Sequence, residues 1–223
     1  FQVFQPRGGG KRQAPTFDVI APGVAKHEEE IVLAPGAEPA ADPNLVLRVA
    51  VAAAEFGLPI APGTLRNLKK CPIGDRNWTD ESRELFIRLL ASGPALLNVW
   101  EDIDFIDVPG KLIPEWLGVR NRPSASAAHR YTIDRHMVEV VTRLGRETPS
   151  GGRYDDRHYE ALLLAGILHD IGKRPGVANH AAEGARHATV VVERMGFDRD
   201  IVRWVTLLVR EHLTLSEFAP GRN

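Results

Sequence analysis

The sequence predicts a mainly α fold. Three observations carry that expectation: apolar residues recur at helical spacing along most of the chain, Pro and Gly stand where helices should begin and end, and seven of the eight histidines fall between positions 129 and 212, near the ends of such segments. Residues 1–41 are the exception. They are rich in Gly, Pro and Ala, with short apolar stretches at Phe17–Ile20 and Glu30–Leu33 flanking Pro22-Gly23, and they read as a β-hairpin or irregular tail of a preceding domain.

From Asp42 the pattern turns helical. Asp42 can cap, Pro43 suits a first helical position, and Leu45, Val46, Val49, Ala53 and Phe56 share one face up to Gly57. Further helices are expected over Pro62–Lys70, Asp80–Leu90 and Pro94–Ile106, making 42–125 a helical linker subdomain that closes in the loose stretch Arg120–Ala128. A second helical domain, 126–223, holds segments near Ile133–Leu144, Tyr154–Ile171, His180–Met195 and Arg199–His212.

Composition excludes several classes. With 28 basic against 29 acidic residues the net charge is −1, so there is no overall positive field to drive DNA, RNA or membrane-surface binding. A single cysteine, Cys71, excludes an internal disulfide and a multi-cysteine zinc site, and fits a reducing compartment, which predicts the cytoplasm. The most apolar continuous run, Leu162–Leu168, is seven residues, far short of the roughly 20 that span a bilayer. Because the chain opens on Phe1 instead of Met, it is expected to be a piece of a longer protein.

The histidines carry the chemistry. His136 sits at the edge of the stripe Ile133, Met137, Val140 and Leu144; His169-Asp170 ends the buried run Leu162–Leu168 just before Gly172; His180 opens a helix; His212 closes the stripe Trp204, Leu208. Adjacent residues on a helix diverge by about 100°, but at a helix end where the chain turns away both can reach one ion. Imidazoles and a carboxylate drawn from several helices suit zinc, iron, manganese or magnesium, as one ion or as two sharing the carboxylate, and such centres acidify water for phosphoester hydrolysis. Lys173 either offers a cation to phosphoryl oxygens or answers the helix macrodipole.

Two patterns are set aside. His27 with Glu28–Glu30 lacks a second histidine four residues on, so it is a solvated charge run. Ser92-Gly93 followed by Asp102 and Asp104 has a helical context where a nucleotidyltransferase signature needs a strand.

These motifs resemble the HD phosphohydrolases, with His169-Asp170 as the HD pair within LHDIGK. HRYTIDRH (129–136), LLLAGILHDIGK (162–173), NHAAEGA (179–185) and LVREHLTLSEFA (208–219) are similar to the uridylyl-removing domain of the enzymes that modify the PII nitrogen-signalling protein. LPIAPGTLRNL (58–68) and LIPEW (112–116) resemble the region before that domain. The resemblance implies an HD-domain bundle and hydrolytic removal of UMP or AMP from a tyrosine of nucleotidylated PII. It also implies a nucleotidyltransferase domain before this region and ACT domains after it. It places His136, His169, Asp170, His180 and His212 on one or two divalent ions, with Asp170 orienting or deprotonating water. Lys173, His129 and Tyr131 then face the substrate, plain packing being the other reading for the last two.

Two departures stand out. Asn223 occupies the place of a family Asp, and a neutral amide is a poorer ligand for a dication. Asn179 likewise stands before His180 where the family has Asp. The alternatives are an HD hydrolase of free nucleotides and a metal-poor regulatory module.

Overall fold

A computed structural model describes residues 16–73, 78–123, 131–146 and 156–214. The protein is mainly helical, with one small sheet at the N-terminal side. The sheet is an antiparallel meander of β1 (Asp18–Ala21), β2 (Val24–His27) and β3 (Glu30–Leu33) in the order β1-β2-β3. The sequence reading anticipated its outer strands and missed the central one, whose four residues are too few to show a period. Gly23, at φ +76°, makes the first turn, and its missing Cβ leaves room for Leu45. Val24 and Ile31 are fully buried in the same core as Leu45. Ile31 also exchanges backbone hydrogen bonds with Pro59 O (2.9 Å) and the Ala61 N–H (3.0 Å), which fastens the sheet to the helices.

The first helices are α1 (Leu45–Phe56), α2 (Pro62–Leu68), α3 (Asp80–Leu90) and α4 (Ala95–Phe105). α1 begins after the expected Asp42-Pro43 start. The Asp42 carboxylate accepts from the Asn44 N–H at 3.0 Å and from the Arg48 guanidinium at 2.8 and 2.6 Å, so it stabilises a turn that precedes the helix. The helix stops at Gly57 in the left-handed region (φ 64°), as the sequence predicts. At α3 the Thr79 side chain accepts from the Ser82 N–H while the Ser82 hydroxyl accepts from the Thr79 N–H, a reciprocal cap. Thr79→Ala is expected to cost about 1 kcal/mol, read as a lower urea midpoint at unchanged slope.

Two short elements escaped the sequence reading: α5 (Val108–Leu112) and a 3-10 turn over Pro114–Gly118. Each starts beside a proline and is too short for a periodic signal. Asp104 lies on helix α4 and pairs with Arg120, so the Asp102/Asp104 pattern is helical, as expected from its context.

The remaining helices are α6 (Ile133–Arg146), α7 (Asp156–Leu168), α8 (His180–Arg194) and α9 (Arg199–Arg210). α8 packs along α9, α7 against α9 and α6, while α4 meets α6 and α3 meets α7, giving a continuous apolar core. At the α6 junction a Cβ on Gly145 would lie 2.7 Å from Gly93 N, so glycine permits that backbone approach. No helix among the described residues is long and apolar enough to cross a membrane. The expected subdomain boundary near 125 falls in 124–130, outside the described residues.

Candidate metal centre

α7 stops at Leu168, and His169 and Asp170 lie in the turn that follows, closed by Ile171 N–H to Leu168 O (3.0 Å) and Lys173 N–H to Asp170 O (2.9 Å). The chain can turn there because Gly172 lies against α8: a Cβ at Gly172 would stand 2.3 Å from Gly184 N and 2.5 Å from His180 O. α8 therefore approaches the turn backbone to backbone, bringing His180, its first residue, over Asp170. Asn179 caps α8, its side chain accepting from the Ala182 N–H at 2.9 Å, which an amide does as well as the family's Asp.

Five predicted residues come together here. His136, His169 and Asp170 form one group, and Asp170, His180 and His212 a second; within each, one ligand atom per residue lies within 4.8 Å of the others. Asp170 belongs to both. Its Oδ1 is 3.5 Å from His212 Nε2 and 3.8 Å from His180 Nε2, and its Oδ2 is 3.6 Å from His169 Nε2. The imidazoles of His136 and His169 meet edge to face with centroids 5.1 Å apart, and His212 stands 5.3 Å from His169. Asp170 is only 3% exposed.

The tautomers of two histidines follow from the hydrogen bonds. His169 Nδ1 is 2.9 Å from Gly166 O, and His212 Nδ1 is 2.7 Å from Val209 O. A carbonyl only accepts, so each Nδ1 carries a proton and donates; in the neutral ring Nε2 then presents a lone pair toward Asp170. Both rings use the carbonyl three residues back, at the end of a helix. The Nε2 atoms of His180 and His212 are buried without a hydrogen-bond partner among the described residues. Buried polar nitrogens left so cost about 1–3 kcal/mol each, and a cation among them would remove that cost.

The electrostatics suit the same role. Burial lowers the His169 pKa to about 4, outweighing the nearby Asp170 charge, so the ring is neutral and ligand-ready at ordinary pH. Burial would raise Asp170, but His212, His169 and Lys173 overrule it and hold the carboxyl well below the usual carboxylate range. His180 is lowered, chiefly by burial. Burial also acts to lower His212, yet Asp170 and the Val209 carbonyl raise it overall.

Lys173 Nζ lies 3.2 Å from Asp170 Oδ2, at the edge of the cluster. Tyr131 precedes α6, is exposed and has its ring 5.8 Å from the Arg135 guanidinium carbon. His129 and Asn223 lie outside the described residues. His187 pairs with Glu183 at 3.0 Å and is not part of either group. The sequence reading used Gly172 only as the point where the chain turns away, not as a contact with α8. The structure makes Gly172 a closer contact than Gly184, whose Cβ would come no nearer than 3.3 Å to a neighbour, and the only trace of it in sequence is its place just after the His-Asp pair.

Fold and cluster define a class: a mainly helical domain that gathers four imidazoles about one buried carboxylate. The chain is a homologue of the bifunctional uridylyltransferase/uridylyl-removing enzymes. It is 39% identical over 220 residues to that of Streptomyces coelicolor, covering 97% of this chain and 25% of the relative. It is 38% identical over 202 residues to that of Mycobacterium tuberculosis, covering 90% and 24%, and 33% identical over 181 residues to that of Corynebacterium glutamicum, covering 80% and 25%. The chain thus spans about a quarter of the length of these curated relatives. No family model matches it.

Proposed function

We propose that the chain is an HD-type, metal-dependent phosphodiesterase that removes a nucleotidyl group, UMP or AMP, from a tyrosine of the PII protein. The observation that carries the proposal is the buried carboxylate of Asp170, shared by two groups of imidazoles. The relatives' names contribute the uridylyl-removing activity, and the sequence resemblance contributes PII and the flanking nucleotidyltransferase and ACT domains.

His136, His169 and Asp170 would hold one ion, and Asp170, His180 and His212 a second. Mixed imidazole and carboxylate donors suit manganese, iron or zinc better than magnesium. Bound there, such ions supply Lewis acidity and a water acidified to a pKa of about 7. The protein's own contributions are distinct. The Gly166 and Val209 carbonyls fix the His169 and His212 rings, and Asp170 orients the attacking water. Lys173 turns its ammonium to the phosphoryl oxygens as negative charge grows. The nearly dry setting of Asp170 strengthens each of these charge interactions.

The two groups make a prediction about stoichiometry. His136→Ala is expected to abolish one ion while the His180/His212 ion persists, and His212→Ala to do the reverse, as read by elemental analysis after reconstitution with manganese. Both variants should lose at least ~10²-fold in hydrolysis of a generic phosphodiester. Substrate class is tested by product analysis: nucleotidylated PII should release UMP or AMP, while cyclic nucleotides and nucleoside triphosphates stay intact. Cleavage of the free nucleotides alone would overturn the protein-substrate reading.

A further inference from the structure

One short segment that carries none of the five ligands touches the elements that present them. Residues 114–122 run from the 3-10 turn toward α6 and are seated on α4. Trp116, 1% exposed, packs against Trp100 with ring centroids 5.3 Å apart. Arg120 donates to the Asp104 carboxylate at 3.1 Å, the Asp104 carbonyl at 2.7 Å and the Asp107 carboxylate at 2.6 Å, all at the end of that helix. A guanidinium held at several nitrogens is fixed in direction as well as in place.

From this seat the segment reaches α6. Asn121 adopts a left-handed conformation (φ 57°), and its N–H donates to the Asp134 carboxylate at 2.7 Å. The Ile133 N–H donates to Arg122 O at 2.8 Å. Asp134 is buried, and it shares with Ile133 the first turn of α6, which also presents His136.

The same segment reaches the His-Asp turn and α8. Arg174 closes that turn, its N–H donating to Gly172 O at 2.9 Å, and its Nη2 donates across to Glu115 O at 3.0 Å. The Arg174 guanidinium lies against Gly118, where a Cβ would stand 2.3–2.6 Å from Nε, Cζ and Nη2. The Glu115 carboxylate accepts from both terminal nitrogens of Arg194, at 2.9 and 2.7 Å. Arg194 follows His180 by about four helical turns and lies near the same face of α8. The segment therefore holds α8 directly near its C-terminal end, and holds its His180 end through Arg174 and the Gly172 contact.

We propose that residues 114–122 are a brace that positions both halves of the metal centre, with Asp134 the positioning residue for His136 and Arg174 the positioning residue for His180. The inference rests on the metal-centre reading for its purpose, but the brace sets the rings whether or not an ion is bound.

The test compares Asp134→Ala, Asp134→Asn and Gly118→Ala with the wild type, using nitrogen-15 spectra of the histidine rings in the metal-free full chain. Gly118→Ala puts a methyl group against the end of a flexible side chain, so it displaces Arg174 at little cost to folding. Asp134→Ala should shift the His136 ring signals and leave those of His180 in place. Asp134→Asn should return His136 toward the wild-type position, because its amide oxygen still accepts from Asn121. Gly118→Ala should shift His180 and leave His136 in place. In a His136→Ala background, which keeps the His180/His212 ion, Gly118→Ala should weaken manganese binding at least ~10-fold and Asp134→Ala should not change it. Melting temperatures well above that of the assay establish that the variants are folded. Unchanged His136 and His180 rings in the folded variants overturn the proposal. Equal shifts of all four cluster rings in every variant overturn it too, since they signify a general loosening. A wild type that takes up no manganese refutes the metal-centre reading alone, because the ring spectra are recorded without metal and still decide for or against the brace.

Discussion

Replacing Asp170 with Ala is expected to reduce phosphodiester hydrolysis by a factor on the order of 10³ or more, the largest effect of any single change in the cluster. The reason is geometric. Asp170 belongs both to the group with His136 and His169 and to the group with His180 and His212, so its loss strips a ligand from both groups at once. It also releases Lys173, whose ammonium is held 3.2 Å from Oδ2. Asp170→Asn keeps the shape but not the charge, and four imidazoles about a neutral amide should bind dications far more weakly. Steady-state rates on a generic diester, taken across a manganese titration, separate the two variants: excess metal should restore part of the Asn activity and none of the Ala activity. Wild-type rates in Asp170→Ala would remove the carboxylate from the chemistry.

The second large effect is on stability. Gly172→Ala would drive a methyl group to within 2.3 Å of Gly184 N and 2.5 Å of His180 O, and backbone cannot step aside as a side chain can. We expect a loss of about 3 kcal/mol, at the upper end for overpacking, and a melting temperature lower by roughly 6–12 °C. Gly184→Ala is the matched control. Its Cβ would meet Val209 at 3.3 Å and His169 O at 3.4 Å, contacts that small shifts can absorb, so less than about 1 kcal/mol should be lost. Thermal unfolding of the pair reads the difference, and equal melting temperatures would contradict the close approach of α8 to the turn. Because that approach also carries His180, the Gly172 variant should lose metal from the His180/His212 group first.

The helices that build the cluster were legible because each presents several turns of apolar periodicity with a terminal signal: Gly57 ends α1 and the Leu162–Leu168 run leads straight into His169-Asp170. The histidines were legible as a group because they recur at the ends of those stripes. What sequence could not display was contact between distant segments. β2 has four residues and is central only through its neighbours, and α5 has five. The sharing of Asp170 between two groups depends on α8 and α9 folding back over the turn, which no local spacing encodes. The same holds for the Gly166 and Val209 carbonyls that set the two ring tautomers, although their common separation of three residues from His169 and His212 is a pattern that could be sought.

Anomalous diffraction from crystals equilibrated with manganese tests the central claim most directly. Two peaks are expected, one beside His136 and His169 and one beside His180 and His212, each within bonding distance of a different oxygen of Asp170. Manganese found only at surface carboxylates, with the histidine cluster left without density at saturating metal, would contradict it.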